Sequence, residues 1–169
     1  MEQGKMLASL FLPELRKFFG NFTLVAAEEE LYEKIKEYIK TDYNFKGFID
    51  LIIKTEDGKY HILDQKSCSW GWENTKKTAA LVTYQLTLYK KFFAQKHNID
   101  EKDIETYFCL LKRTAKSDNI EIFRVTSGPK KTENALKVLT NCLTSIDKNF
   151  FPKNRLACKY CEYYKKECT

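Results

Sequence analysis

The stretch GFIDLIIKTEDGKYHILDQKS, Gly47 to Ser67, decides the fold of this chain. Two apolar runs flank the pair Asp57-Gly58, which is a strong signal for the turn of a β-hairpin. Each run also carries an acid, because Asp50 lies within the first run and Asp64 near the end of the second. Charged groups in such runs are costly to bury unless they are paired or bind an ion. The stretch therefore predicts a hairpin whose carboxylates need a partner.

Lys66 follows Asp64 by two residues, so the two side chains leave the same face of the strand. Asp50 lies on the adjacent strand, and we expect the two carboxylates and the ammonium group to converge. Carboxylates of this kind bind Mg²⁺ or Mn²⁺, which stabilise charge on a scissile phosphate and activate water. The residues thus indicate phosphodiester hydrolysis. The alternative is a structural ion pair of Asp64 with Lys66 or another cation, with Asp50 capping a turn.

Length and composition favour one folded domain, residues 1–169, with its own core. The 43% hydrophobic and 14% aromatic content exclude wholesale disorder, and the 31% charged residues are spread along the chain. The 29 Lys and Arg residues against 23 acids give a net charge of +6, enough for a phosphate-binding face. Charge alone is weak evidence for a nucleic-acid partner.

No apolar run approaches the roughly 20 residues that cross a bilayer. The N-terminal apolar stretch is interrupted by Pro13 and Glu14, unlike a signal peptide. We therefore expect a cytoplasmic protein, in the host cytoplasm if it is viral, with no membrane contact.

Hydrophobic spacing and turn signals predict the remaining elements. They are a first helix kinked at Pro13 and closed by Gly20, a strand Phe22–Ala26, a hairpin of Phe45–Thr55 and Lys59–Gln65, a helix Lys76–Lys96, strands Ile104–Arg113 and Ile120–Val125, and a helix Lys131–Asn149. The residues between Ala26 and the hairpin fit helix or strand. The order predicts an α/β (α+β) fold, a central mixed sheet flanked by helices.

These motifs resemble the PD-(D/E)XK nuclease superfamily, whose pattern is an acid, a spacer and acid-x-lysine, here Asp50 and then Asp64-Gln65-Lys66. Gln85 and Tyr89 in YQLTLY resemble the Q-x-x-x-Y helix motif of its RecB-like exonuclease branch, which includes phage exonucleases. The resemblance implies a restriction-endonuclease-like core and DNA contacts by Gln85 and Tyr89. Acid-x-lysine alone is a weak signal, but it becomes fairly strong with G-x-x-D (Gly47 to Asp50) before it on a strand and Q-x-x-x-Y after it on a helix, in that order.

By the same resemblance, Asp50, Asp64 and Lys66 are the catalytic residues. Mg²⁺ or Mn²⁺ would be held by Asp50, Asp64 and the backbone carbonyl of Gln65. Family members often add an upstream glutamate, for which we select Glu28 from the run of three glutamates at 28–30.

One departure concerns a histidine that many RecB-like nucleases carry as G-x-x-x-H in the first helix. The matching position after Gly4 is Ala8, so this imidazole ligand is absent, and we expect the second metal or the rate to be affected. An alternative function is therefore a weakly active or inactive nuclease-fold subunit that binds nucleic acid or a partner in replication, recombination or packaging.

Aromatic and basic residues follow the second strand of the hairpin. Trp70 and Trp72 can stack on unpaired bases while Lys76 and Lys77 meet phosphates. The duller alternative is that the tryptophans are core residues at the sheet edge. A second candidate phosphate contact is the group Lys112, Arg113 and Lys116.

The tail, residues 156–169, holds Cys158, Cys161 and Cys168 as C-x₂-C-x₆-C, a spacing suited to Zn²⁺ or an iron–sulfur cluster. The resemblance favours a [4Fe–4S] cluster, because some RecB-like nucleases carry an iron–sulfur cluster that ties parts of the chain together. A fourth ligand would come from elsewhere, among Cys68, Cys109, Cys142 and the histidines. Alternatively the thiols stay free.

Taken together, the residues and the resemblance predict a Mg²⁺- or Mn²⁺-dependent deoxyribonuclease. We expect an exonuclease rather than an endonuclease, of phage type, acting on single-stranded DNA or DNA ends.

Overall fold

A computed structural model describes residues 2–38, 40, 42–151, 158 and 161–163. Its elements, in chain order, are α1 (Glu2–Phe19), β1 (Phe22–Lys34), β2 (Asn44–Thr55), β3 (Tyr60–Cys68), α2 (Asn74–Thr78), α3 (Ala80–His97), a 3₁₀ turn (Glu101–Asp103), β4 (Ile104–Lys112), β5 (Ile120–Val125) and α4 (Pro129–Asp147). Within this part of the chain, none of the helices combines the length and apolar content of a bilayer span.

The five strands form one sheet in the order β1-β2-β3-β4-β5. Neighbours are antiparallel except β3 and β4, which run parallel. A parallel pair needs a long crossover, and the segment with α2 and α3 supplies it. The predicted mixed sheet is confirmed.

Helices cover both faces of the sheet. On one face Leu15 of α1 packs with Leu51, Ile53 and Leu63. On the other face the larger core holds Phe92 and Phe93 of α3, Leu143 of α4, and the inward residues of the strands. The prediction of a sheet flanked by helices is confirmed, and the hairpin at Asp57-Gly58 lies where the turn signal placed it.

Most predicted bounds differ from those in the structure. β3 runs over Tyr60–Cys68 instead of Lys59–Gln65. β1 continues to Lys34 instead of ending at Ala26, because residues of helical composition pair along the whole of β2 and bury Leu31 completely; tertiary pairing overrides helix propensity here. The helix predicted over Lys76–Lys96 is two helices, since Ala79 has extended backbone (φ −57°, ψ 126°) between α2 and α3.

The ends of the last elements differ by smaller amounts. β4 ends at Lys112, one residue before the predicted end. α4 begins at Pro129, two residues before the predicted start, because a proline in the first turn of a helix loses no internal hydrogen bond.

Candidate active site

The site is built where β2 and β3 separate. Their paired residues run from Lys54 and Tyr60 to Leu51 and Leu63, and the register ends there. Beyond it, the N–H of Gln65 donates to Oδ2 of Asp50 at 2.6 Å. A carboxylate thus takes the place of a backbone acceptor. In extended backbone the carbonyl of a residue points to the same side as its N–H, so the Gln65 carbonyl is directed towards Asp50.

The pleat of β2 is interrupted at Asp50. Ile49 and Ile52 both lie in the core beneath α3, although residues three apart in a regular strand face opposite sides. On β1, the facing strand, Glu28 has a left-handed φ of 54°. Irregularities of this kind re-aim a side chain and are frequent beside active sites. Here the irregularity accompanies the turn of Asp50 towards β3.

Asp64 and Lys66 leave the same face of β3, as predicted. Asp64 is 1% exposed, and Nζ of Lys66 lies 2.7 Å from its Oδ2. Apart from the Lys66 ammonium, this buried oxygen has no hydrogen-bond partner among the described residues. The structure therefore brings Asp50, Asp64 and Lys66 together at one place.

Burial raises the pKa of Asp64, and the charge of Asp50 raises it further, while the contact and charge of Lys66 oppose the shift without reversing it. The ionised form of this carboxylate is thus held at a cost. A cation brought next to Asp64 would relieve that cost.

Gly47, three residues before Asp50, makes room for Tyr89 of α3. A Cβ at this glycine would lie 2.8 Å from Cε1 of Tyr89. Nε2 of Gln85 donates to Oη of Tyr89 at 3.0 Å, across one helical turn. Tyr89 is only 8% exposed, so little of its surface is available for the predicted DNA contact. Gly47 is the glycine of the G-x-x-D motif in the sequence, and an isolated glycine within a strand signals close backbone approach.

A cleft of about 540 Å³ opens beside the site. Its lining combines three basic residues with the loop after β3 and one acid: Lys66, Ser67, Cys68, Ser69, Gly71, Trp72, Glu73, Lys76 and Arg113. The cleft begins at the predicted catalytic lysine, and its charge suits a polyanion.

The two tryptophans differ in environment. Trp72 packs edge-on against Phe108, with ring centroids 5.1 Å apart, which favours the core alternative for this residue. Trp70 is 72% exposed and remains a candidate for base stacking. Lys76 lies with Nζ 4.3 Å above the Trp72 ring, whereas Lys77 is in ion-pair contact with Glu121.

The upstream glutamate does not complete a cluster. The pairs Ala27↔Leu51 and Glu29↔Ile49 place Glu28 across from Asp50, but Glu28 is exposed. Within the described ranges, no three His, Cys, Asp or Glu side chains gather as a metal site. Glu29 itself pairs with Lys96 and His97 of α3. The role of Glu28 as a ligand stays a prediction that this geometry does not support.

Ala8, at the position of the missing histidine, lies near the end of the sheet that carries Lys66. Leu7 of α1 packs with Cys109 and Ile120, next to the end that carries Lys66. Ala8 is exposed there and offers no ligand atom.

The cysteine-rich tail lies largely outside the described residues. Cys158 and Cys161 are described, and the N–H of Cys161 donates to the Cys158 carbonyl at 3.1 Å, as in a turn. Cys168 is not among the described residues, so the predicted iron–sulfur or zinc site stays a prediction. Of the proposed fourth ligands, Cys109 is fully buried in the sheet, and burial raises its pKa to about 12, which disfavours a thiolate.

A sequence profile of the PD-(D/E)XK nuclease superfamily matches residues 3–166. The chain therefore belongs to the PD-(D/E)XK nuclease superfamily, and its five-stranded mixed sheet with flanking helices is the restriction-endonuclease-like fold. No curated protein matches the sequence.

Two crystal structures show the same fold. SSO0001 is 20% identical with a TM-score of 0.55, and the match covers 95% of this chain and 66% of that one. A Eubacterium rectale protein, described provisionally as an exonuclease, is 12% identical with a TM-score of 0.63, covering 99% of this chain and 60% of that one. The chain thus spans less than two thirds of the length of these two structures.

Proposed function

We propose that this protein is a Mg²⁺- or Mn²⁺-dependent deoxyribonuclease of the RecB-like, phage-type branch, acting in the cytoplasm as an exonuclease on single strands or DNA ends. One observation carries the proposal: Asp50, Asp64 and Lys66 converge where β2 and β3 separate, at the mouth of a basic cleft.

The donor atoms fit a divalent cation. Oδ2 of Asp64 is buried, with Lys66 as its one partner among the described residues, and the charge of Asp50 acts on it. The Gln65 carbonyl would face the same place, because it leaves the strand on the same side as the N–H that donates to Asp50. Mg²⁺ typically takes one or two carboxylates and leaves its other positions to water and phosphate. When bound, such an ion supplies Lewis-acid stabilisation of phosphate charge and lowers the pKa of water.

The chain's own residues would do the remaining work. Lys66 is 35% exposed in its side chain and borders the cleft, so it can move its ammonium group from Asp64 to a phosphate or to the attacking water. Gln85 and Tyr89 would hold a neighbouring part of the DNA strand, and Trp70 would stack on an unpaired base. These groups favour a strand end or a single strand, because a stacked base inside a duplex is not accessible to Trp70.

A cleavage assay tests the proposal. Labelled single-stranded and duplex DNA, each with free or blocked ends, is incubated with Mg²⁺ or Mn²⁺. We expect degradation from free ends, lost in Asp64→Ala and Lys66→Ala and retained in Lys54→Ala, which removes a lysine from β2 away from the cleft. Cleavage of end-blocked DNA at equal rate would contradict the exonuclease assignment, and equal activity in Lys66→Ala would contradict the site.

The second candidate, a nuclease-fold module that binds DNA without cutting it, is favoured by the exposed Ala8 at the position of the family histidine. The same assay separates the two. The module retains DNA intact with either ion, whereas the enzyme shortens it.

A further inference from the structure

Basic residues around the cleft occur as two adjacent pairs, Lys76-Lys77 on α2 and Lys112-Arg113 at the end of β4. In sequence the two members of each pair are equivalent. The structure treats them differently, because one member of each pair contacts Glu121 of β5 and the other borders the cleft.

Glu121 neutralises two lysines at once. Its Oε1 is in contact with Nζ of Lys77, and its Oε2 lies 3.6 Å from Nζ of Lys112. The Lys77 and Lys112 side chains are 24% and 12% exposed. Nζ of Lys77 also lies 5.1 Å from the centroid of the Phe123 ring. Both ammonium groups are thus occupied by the protein itself.

The backbone of Gly71 lies against Glu121 and Lys112. Its φ is +122°, and a Cβ there would lie 3.4 Å from both Oε2 of Glu121 and Cδ of Lys112. Gly71 belongs to the loop that lines the cleft, whereas the described lining residues do not include Glu121, Lys77 or Lys112. Glu121 and Lys112 therefore lie behind this loop.

Arg113 and Lys76 face the other way. Arg113 is exposed, and among the described residues its side chain has no ion pair or hydrogen bond, while its N–H donates to the Cys68 carbonyl at 2.8 Å and ties its backbone to the cleft loop. Lys76 is exposed, and its Nζ lies 4.3 Å from the centroid of the Trp72 ring. An unpaired guanidinium beside a cleft is suited to bidentate phosphate contact.

We propose that Arg113, together with Lys66 and Lys76, binds the phosphates of the nucleic-acid strand in the cleft, and that Glu121 withdraws Lys77 and Lys112 from that role. The inference rests on the proposed nucleic-acid substrate and names the residues that recognise it. Phosphate contacts release counterions, whereas lysines already paired with a carboxylate release few.

The test is the salt dependence of binding to a fluorescently labelled single-stranded oligonucleotide, measured by anisotropy in EDTA so that no cleavage occurs. Four variants each remove one positive charge: Arg113→Gln with its neighbour Lys112→Gln, and Lys76→Gln with its neighbour Lys77→Gln. Over about 50 to 200 mM salt, we expect Arg113→Gln and Lys76→Gln each to flatten the slope of log K against log salt by about 0.7. Lys112→Gln and Lys77→Gln should retain the wild-type slope.

Glu121→Gln should change the slope of log K against log salt in the opposite direction. It releases both lysines, so we expect a steeper slope, by about 0.7 for each lysine that reaches a phosphate. Equal flattening in all four lysine and arginine variants, or no steepening in Glu121→Gln, would overturn the inference and show a diffuse basic patch. A wild-type protein that binds no oligonucleotide at the lowest salt would instead refute the proposed function.

Discussion

Two carboxylates with little exposed surface, on the neighbouring strands β3 and β4, are paired differently: Asp64 is buried, and the Glu105 side chain is 13% exposed. Asp64 faces the α3 side and has Lys66 as its close cation. Glu105 faces the α1 side and has Lys59 at 3.3 Å, Arg124 at 2.9 Å and the Tyr107 hydroxyl donating at 2.6 Å. Burial alone would raise the pKa of either group. The pKa of Asp64 is raised, whereas hydrogen bonds from Tyr107 and Lys59 and the charge of Arg124 outweigh burial and lower that of Glu105.

The number of partners therefore distinguishes the two groups. Both oxygens of Glu105 are in contact with cations or a hydroxyl of the protein itself. Asp64 has Lys66 as its one close cation among the described residues, so its charge is less well compensated and a further cation would stabilise it. On the proposed function, Asp64 is the carboxylate that takes part in the reaction. Four experiments test this contrast.

The largest effect is expected for Asp64→Asn. Cleavage should fall by about 10²-fold or more, since a metal contributes several kcal/mol to transition-state stabilisation. The protein without metal should melt at a higher temperature than wild type, because an uncharged amide replaces a poorly compensated carboxylate. Mg²⁺ should raise the melting temperature of wild type only. A variant that is both inactive and less stable in EDTA would show that Asp64 is structural.

Glu105→Gln should show the reverse. Loss of the charged acceptor should reduce the free energy of unfolding by about 1–3 kcal/mol, the value of hydrogen bonds to charged groups. Denaturant unfolding measures this loss, and the cleavage rate of the folded variant should stay at the wild-type level. A large loss of cleavage with unchanged stability would invert the assignment.

Gly47→Ala should reduce the free energy of unfolding by overpacking β2 against Tyr89 of α3. The added Cβ must displace Tyr89, and overpacking of this kind costs about 1–3 kcal/mol. Gly4→Ala is the matched control, because no described residue lies within 4 Å of a Cβ at that position and alanine favours its helix. In a double-mutant cycle, the variant that combines Gly47→Ala with Tyr89→Ala should lose less unfolding free energy than the sum of the two single losses, by about 0.5–3 kcal/mol. The reason is that Tyr89→Ala removes the side chain that the new Cβ meets. Strict additivity would mean that the two residues do not oppose each other.

The smallest effect is a pair of opposite pH dependences. The pKa of Asp64 is raised above 3.8 in the folded state, so the folded state binds more protons than the unfolded state. The free energy of unfolding therefore falls as the pH rises from the unfolded pKa to the folded pKa of this group. The stability advantage of Asp64→Asn should therefore grow with pH. The pKa of Glu105 is lowered below 4.5, so its stabilisation is present above that pH and is lost on acidification. The deficit of Glu105→Gln should shrink in acid, as urea titrations at several pH values would show.

The sequence was most informative where local rules act alone. The turn at Asp57-Gly58 and the two-residue spacing of Asp64 and Lys66 gave the hairpin and the shared face. The sequence-based prediction failed where contacts between distant parts of the chain determine the structure. The extension of β1 depends on its partner strand, and the break at Ala79 is not marked by glycine or proline.

The same limit applies to the site. Motif spacing identified the residues that converge, but it treated neighbouring cations as equal. Only the fold shows that Glu121 lies against Lys77 and not against Lys76, since β5 and α2 are separated by more than forty residues. An ion pair between two elements that are distant in the chain produces no pattern that can be recognised in a single sequence.

The 2.6 Å hydrogen bond between the Gln65 amide and Asp50 gives this protein a built-in spectroscopic probe. A short bond from an amide to a charged oxygen shifts the amide proton resonance downfield. An ion that draws on the same oxygen weakens that bond and moves the resonance back, even with no DNA present. Nuclear magnetic resonance of one backbone amide could thus report ion loading separately from turnover.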